Sequence, residues 1–188
     1  MSIESYRRNL ANRVTGPNLP LCFPSALEQI SPNYSYKPSV YKNHLEFLDW
    51  YCSFSVKQRD SMIDEYEKEV ENLVRPLGGL SLKDLKFSRA NTEIGFLRTV
   101  RPLLADGWGV VVDVCHTGKR SVTHAVGLLP VGGETDHVTL VSTHVPASLQ
   151  GIIDLRQLAT HIALPTETYV QGYHPMNNAN ITALPPLD

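Results

Sequence analysis

The runs Val110-Val111-Val112-Asp113-Val114-Cys115, His124-Ala125-Val126-Gly127-Leu128-Leu129 and His137-Val138-Thr139-Leu140-Val141 decide the fold. Their β-branched residues suit a pleated surface better than a helical turn. The connectors Thr117-Gly118-Lys119 and Gly132-Gly133-Glu134 supply turn residues between them. The three runs are therefore predicted to form an antiparallel meander. The chain before them has a different period. Between Val40 and Val74, Leu45, Leu48, Trp50, Tyr51 and Phe54 suit one helical face, and Met62, Ile63, Tyr66, Val70 and Leu73 suit another. Ser53-Phe54-Ser55 divides this stretch in two, and Pro76 with Gly78-Gly79 ends it.

A further helix is expected over Glu93 to Ala105, capped by Asn91 or Thr92 and stopped by Asp106-Gly107. Pro102 stands against it, because an interior proline removes a helical N–H and kinks or ends the helix. Another helix is expected over Leu155 to Ile162, with Asp154 at its N-cap. Helices followed by a sheet define an α+β domain. The reading is one domain over residues 1–188, helical over about 1–106, sheet over about 107–165 and irregular over about 166–188.

Toward the N-terminus, Ser2 to Val14 reads as a short helix ended by Thr15-Gly16-Pro17. Pro17, Pro20 and Pro24 then bracket Cys22 in Leu19-Pro20-Leu21-Cys22-Phe23-Pro24-Ser25-Ala26-Leu27-Glu28-Gln29-Ile30. Pro24 fits the first turn of a helix, where its missing N–H costs little. Ser31-Pro32-Asn33 breaks that helix.

Composition narrows the function classes. The 188 residues are 42% hydrophobic and 19% charged, with a formal charge of −2. That balance gives no global electrostatic reason to expect nucleic acid as a partner. No apolar run approaches the roughly 20 residues a membrane-spanning helix needs. Met1-Ser2-Ile3-Glu4-Ser5-Tyr6-Arg7-Arg8 is polar and lacks the apolar centre of a cleaved signal peptide. The expectation is a cytoplasmic protein or one exported by a specialised, non-classical system. Cys22, Cys52 and Cys115 cannot pair fully, and neither Cys-x-x-Cys nor His-x-x-x-His occurs. No metal or other cofactor is expected.

The residues able to carry chemistry are Cys22, just ahead of a helix, and His124, opening a strand about a hundred residues later. A thiolate is the reactive form of cysteine, and the oriented N–H groups of a helix N-terminus favour it. An imidazole nearby takes the thiol proton and later delivers it to a leaving group. The alternative is that Cys22 is a small buried apolar residue and His124 a solvated or hydrogen-bonded strand-end histidine.

The segment Phe96-Leu97-Arg98-Thr99-Val100-Arg101-Pro102-Leu103-Leu104-Ala105-Asp106-Gly107-Trp108-Gly109-Val110-Val111-Val112 resembles the helix, turn and strand preceding the catalytic histidine of papain-like cysteine peptidases. The likeness is to the bacteriocin-processing peptidase-like branch and to bacterial effector proteases and deamidases with that core. Thr123-His124-Ala125-Val126-Gly127-Leu128 resembles their histidine strand. This implies a papain-like fold, with N-terminal helices packed on a C-terminal antiparallel sheet. It also implies a cysteine hydrolase that cleaves an amide, as protease or glutamine deamidase, with acyl transfer to another amine left open. A protein or peptide, including a host protein, would be its substrate.

In that family an Asp, Asn or Gln usually follows the next strand. Here the strand ends Val141-Ser142-Thr143-His144-Val145-Pro146, without a carboxylate or amide. His144 is the preferred third residue, with Ser142, Thr143 and Asp113 as alternatives. An oxyanion hole would use the Cys22 N–H and, by the same resemblance, the Asn18 side chain. The competing reading is a non-catalytic effector or binding module on a degenerate peptidase fold. Oligomeric state is not encoded in any of these features.

Overall fold

The computed structural model describes residues 22–31, 33–90, 92–115, 123–141, 151–160 and 179–186. In chain order the helices are α1 (Cys22–Gln29), α2 (Pro38–Cys52), α3 (Val56–Asp60), α4 (Ile63–Val74), α5 (Glu93–Ala105) and α6 (Leu155–Ala159). The strands are β1 (Lys86–Ala90), β2 (Gly109–Cys115), β3 (Thr123–Val131), β4 (Glu134–Val141), β5 (Gly151–Asp154) and β6 (Ala179–Leu184). They form one antiparallel sheet in the order β1-β6-β2-β3-β4-β5. The class is α+β. The helix expected over Ser2 to Val14 lies outside the described residues.

The meander expected from the valine-rich runs is present as β2, β3 and β4. Val131 pairs with Glu134 across a two-residue turn, Gly132-Gly133, in which both glycines have positive φ (27° and 82°). A side chain would be strained there, and glycine is not. The helical break after Cys52 also forms. Ser55 opens α3 with a reciprocal cap, accepting from the Gln58 N–H while the Gln58 side chain accepts from the Ser55 N–H.

Pro102 sits inside α5 without ending it. The ring is on the solvent side, while Phe96, Val100, Leu103 and Leu104 are buried on the other. Only the N–H toward the Arg98 carbonyl is lost, at a turn where both Arg98 and Pro102 are exposed. Thr92 caps the start, accepting from the Gly95 N–H at 3.0 Å. Gly107, at φ 82°, ends α5. Trp108 donates its N–H to the Leu103 carbonyl at 2.9 Å, and Gly107 to the Leu104 carbonyl at 3.0 Å. That pair of bonds is a Schellman motif. Asp154 caps α6, accepting from the Arg156 N–H at 2.7 Å.

Two strands fall in stretches read otherwise, and one adds to the expected sheet. β1 lies within the part read as helical, β5 follows the meander, and β6 lies in the tail read as irregular. β6 is not peripheral. It is hydrogen-bonded to β1 on one side and β2 on the other, with Ile181, Thr182, Ala183 and Leu184 all buried. Ladder bonds on both sides and burial on both faces outweigh the weak strand propensity of Ala and Asn.

Both faces of the sheet are covered. Val110, Val112, Val126, Leu128, Val138, Leu140, Ile181 and Ala183 pack with α5 and α6. On the opposite face Val111, Ala125 and Leu184 pack with α1, α4 and Tyr36. The expectation of N-terminal helices on the sheet holds for this second face, whereas α5 covers the first. Beyond α4 lies an aromatic cluster of Phe47, Leu48, Trp50 and Tyr51, with Phe54, Met62 and Tyr66 against it.

His44 on α2 and Glu69 on α4 meet beside that cluster, Nδ1 to Oε1 at 2.9 Å, with side chains only 4% and 6% exposed. Removing one member of such a pair strands the other away from water. Glu69→Ala is expected to lower stability by about 3 kcal/mol in urea unfolding. The double variant Glu69→Ala/His44→Ala is expected to lose less than the sum of the two single losses.

Candidate functional site

The site begins with α1. Pro24 lies buried in its first turn, and Ala26, Leu27 and Ile30 form the buried stripe. The Ile30 N–H donates to the Ala26 carbonyl at 3.1 Å, carrying the last turn past Gln29. Cys22 is the first helical residue and is half-buried. The sequence placed Cys22 just ahead of this helix, whereas it is the first residue within it. An eight-residue helix is marginal in isolation. Its order comes from what it rests on.

It rests on β3 at Gly127. A Cβ there would lie 2.6 Å from Ile30 Cγ2, 2.7 Å from Val141 Cγ2 and 3.2 Å from the Ala26 carbonyl oxygen. Ile30 also reaches Gly109, where a Cβ would lie 3.2 Å from its Cδ1. Val110 pairs with Leu128, so Gly109 marks the far, C-terminal end of β3. Ile30 therefore lies toward that end and Ala26 over Gly127. Cys22 is four residues before Ala26, about 6 Å of helix. His124 is three residues before Gly127, about 10 Å of strand.

α1 is held from its other side by Glu28. Its Oε2 accepts from the Tyr41 hydroxyl, and its Oε1 accepts from the Tyr36 N–H at 3.2 Å. Tyr36 and Tyr41 meet edge to face, ring centres 5.5 Å apart. The Tyr36 hydroxyl donates to the Leu73 carbonyl at 2.5 Å, tying the same cluster to α4. Burial drives the Tyr36 phenol far above the ordinary tyrosine range, with Tyr41, Glu28 and Glu69 adding to it. Burial, then the hydrogen bond and charge of Glu28, push Tyr41 up as well.

Along the β2–β3 ladder, His124 stands opposite Val114, Asp113 opposite Ala125 and Cys115 opposite Thr123. Ala125 belongs to the core under α1, while Val126 and Leu128 belong to the opposite core. In the alternation of the strand, His124 is in step with Val126 and Leu128. Thr123 is in step with Ala125 and Gly127. Asn18, Ser142, Thr143 and His144 lie outside the described residues. Gly127 and Glu28 were not among the expected site residues. A glycine within a valine-rich strand is a signal of close backbone approach and could have marked Gly127. Nothing in the sequence pairs Glu28 with Tyr41.

Among the described residues no cluster of three or more His, Cys, Asp or Glu is arranged to hold a metal ion. No helix among them is long and apolar enough to cross a membrane.

These features define an α+β domain with a cysteine-headed helix laid along a central strand. No protein-family model matches the sequence, and no relative is found among curated proteins. Among solved structures, the chain is similar to the Pseudomonas avirulence protein AvrPphB at 12% identity and a TM-score of 0.44. The similarity spans 97% of this chain and 99% of that one.

The tyrosine cluster has a measurable pH dependence. Below about pH 10 both folded and unfolded tyrosines are protonated, and the full contribution is present. Above that value the unfolded chain loses its phenolic protons first, so stability falls as pH rises toward the elevated folded values. Urea midpoints compared at pH 8 and pH 11 should show this loss, and Tyr36→Phe should reduce it.

Proposed function

We propose that this protein is a cysteine hydrolase acting on an amide, with Cys22 as nucleophile and His124 as its acid–base partner. The observation that supports the reading is the seating of α1, which begins at Cys22, on β3, the strand that carries His124 near its start. The N-terminal N–H groups of α1 favour a thiolate at Cys22. The thiolate attacks the carbonyl carbon of a protein or peptide amide, and the N–H of Cys22 is the natural first donor to the resulting oxyanion. His124 gives its proton to the departing amine, leaving an acyl-enzyme. Water then attacks that acyl group, His124 taking its proton, and Cys22 is released as thiolate.

If the amine that leaves is a peptide nitrogen, the enzyme is a protease. If it is ammonia from a glutamine side chain, it is a deamidase, and a second amine in place of water makes it an acyltransferase. Release of ammonia, or appearance of a new amino terminus, separates these outcomes. His144 is our preferred group behind the imidazole, with Ser142, Thr143 and Asp113 as alternatives. Asn18 is proposed as a side-chain oxyanion donor. The sequence resemblance to effector peptidases supports a role as an effector acting on a host protein.

One observation favours a second reading, a non-catalytic binding module on a degenerate fold. His124 is in step along β3 with Val126 and Leu128 rather than with Ala125 and Gly127. Reaction with iodoacetamide, read at the Cys22 peptide by mass spectrometry, distinguishes the two. The hydrolase reading expects Cys22 to react at pH 6 at least about tenfold faster than an ordinary thiol. Cys22→Ala should abolish the biological effect while leaving the melting curve intact. Full effect from a folded Cys22→Ala protein would establish the second reading instead.

A further inference from the structure

Gly127 has a role that its strand position alone does not require. Its φ is not in the left-handed region, so the backbone there accepts any residue. What it cannot accept is a side chain. Ile30 Cγ2 and Val141 Cγ2 close the space to 2.6 and 2.7 Å, and the Ala26 carbonyl oxygen stands at 3.2 Å. The first two distances are shorter than two carbons can approach, so one added methyl must displace something. Val141 is held in β4, opposite Gly127 itself in the ladder. Ile30 and Ala26 belong to the last turns of α1, an eight-residue helix, and are the parts free to give.

From these contacts we infer that Gly127 is a positioning residue: its bare Cα sets the height of α1 above β3, and with it where Cys22 at the helix start is held relative to the strand that carries His124. This rests on the hydrolase reading. The lever is short and direct. Ala26 in α1 and Ile30 just past its end, the two residues on Gly127, are about one and two turns from Cys22. A lift at Gly127 therefore moves the whole of α1, since eight residues offer little length over which to absorb it. Glu28, clamped by Tyr36 and Tyr41 on the other side, holds the helix down on the glycine. A displacement of about 1 Å between reacting groups can cost on the order of a hundredfold in rate.

The test is the pH profile of iodoacetamide reaction at the Cys22 peptide, with circular dichroism melting alongside. In the wild type, coupling to His124 keeps Cys22 reactive well below the ordinary thiol range, which centres at about 8.5. His124→Ala should move the profile up toward that value. Gly127→Ala should move it in the same direction, with reaction at pH 6 slowed by about tenfold or more. Adding Ile30→Ala and Val141→Ala to Gly127→Ala removes both close methyl contacts. The profile should then return toward wild type even though two new cavities lower the melting temperature. A merely structural role would make the triple variant worse on both measures.

A wild-type profile in Gly127→Ala, alongside a shifted profile in His124→Ala, would overturn the positioning role and leave the dyad standing. An unchanged profile in His124→Ala would remove the dyad and this inference with it. Should Gly127→Ala fail to fold, the triple variant decides. A folded triple variant with the wild-type profile supports the positioning role, and a folded one with the His124→Ala profile overturns it.

Discussion

The contact between α1 and the bare backbone of Gly127 is the constraint on which the rest of the structure depends. Without a side chain at that point, Ile30 enters the space between β3 and β4, and Ala26 lays its carbonyl against the strand. The same Ile30 fills the hollow over Gly109 at the start of β2. Two glycines on neighbouring strands thus make a shallow trough, and α1 lies in it. The close approach brings dispersion contacts that an eight-residue helix needs, because its own hydrogen bonds do not stabilise it alone. Everything proposed for Cys22 follows from where that trough holds the helix start.

The opposite face of the sheet works differently. Against it lies α5, longer and capped at both ends, by Thr92 at the start and by the Gly107 turn at the finish. Its buried Phe96, Val100, Leu103 and Leu104 meet a row of Val and Leu from β2, β3 and β4. Large side chains fill that interface, whereas the α1 interface is made by leaving them out. The sheet is therefore rigid on one side and closely approached on the other. Such a division suits a site that must hold two groups at a fixed separation.

Much of this was legible in the sequence, and the exceptions have physical causes. The β-branched runs located β2, β3 and β4, and Pro24 correctly placed a helix start beside Cys22. The helix expected over Glu93 to Ala105 forms with those bounds, and Pro102, which stood against it, does not end it. Here the lost bond faces solvent, and the buried leucines on the other side carry α5 onward. β1 and β6 were missed because Lys86-Phe87-Ser88-Arg89-Ala90 and Ala179-Asn180-Ile181-Thr182-Ala183-Leu184 have little intrinsic strand preference. Their conformation comes from each other and from β2. For the site, sequence gave the elements that carry Cys22 and His124. It did not give the Glu28–Tyr41 clamp, since contacts between residues on separate helices leave no periodic trace. The segment with Ser142, Thr143 and His144 lies outside the described residues, so the third group stays where the sequence left it.

The place of β6 has a consequence for how the chain reaches this fold. Among the described strands β1 pairs only with β6, and β6 is made after the other five. Until it arrives, β2 offers a bare hydrogen-bonding edge, and β1 waits about twenty residues upstream with no neighbour to bind. The meander of β2, β3 and β4 can form early from nearby partners. The other half of the sheet requires closing a loop of about half the chain. Pairing of that kind is slow, because the entropy of closure is spent before any ladder bond forms. During synthesis, the interval between the meander and the arrival of β6 is when an unpaired edge is exposed to other chains. The last strand acts as the keystone: it is set last, and it joins two parts that have no direct ladder between them.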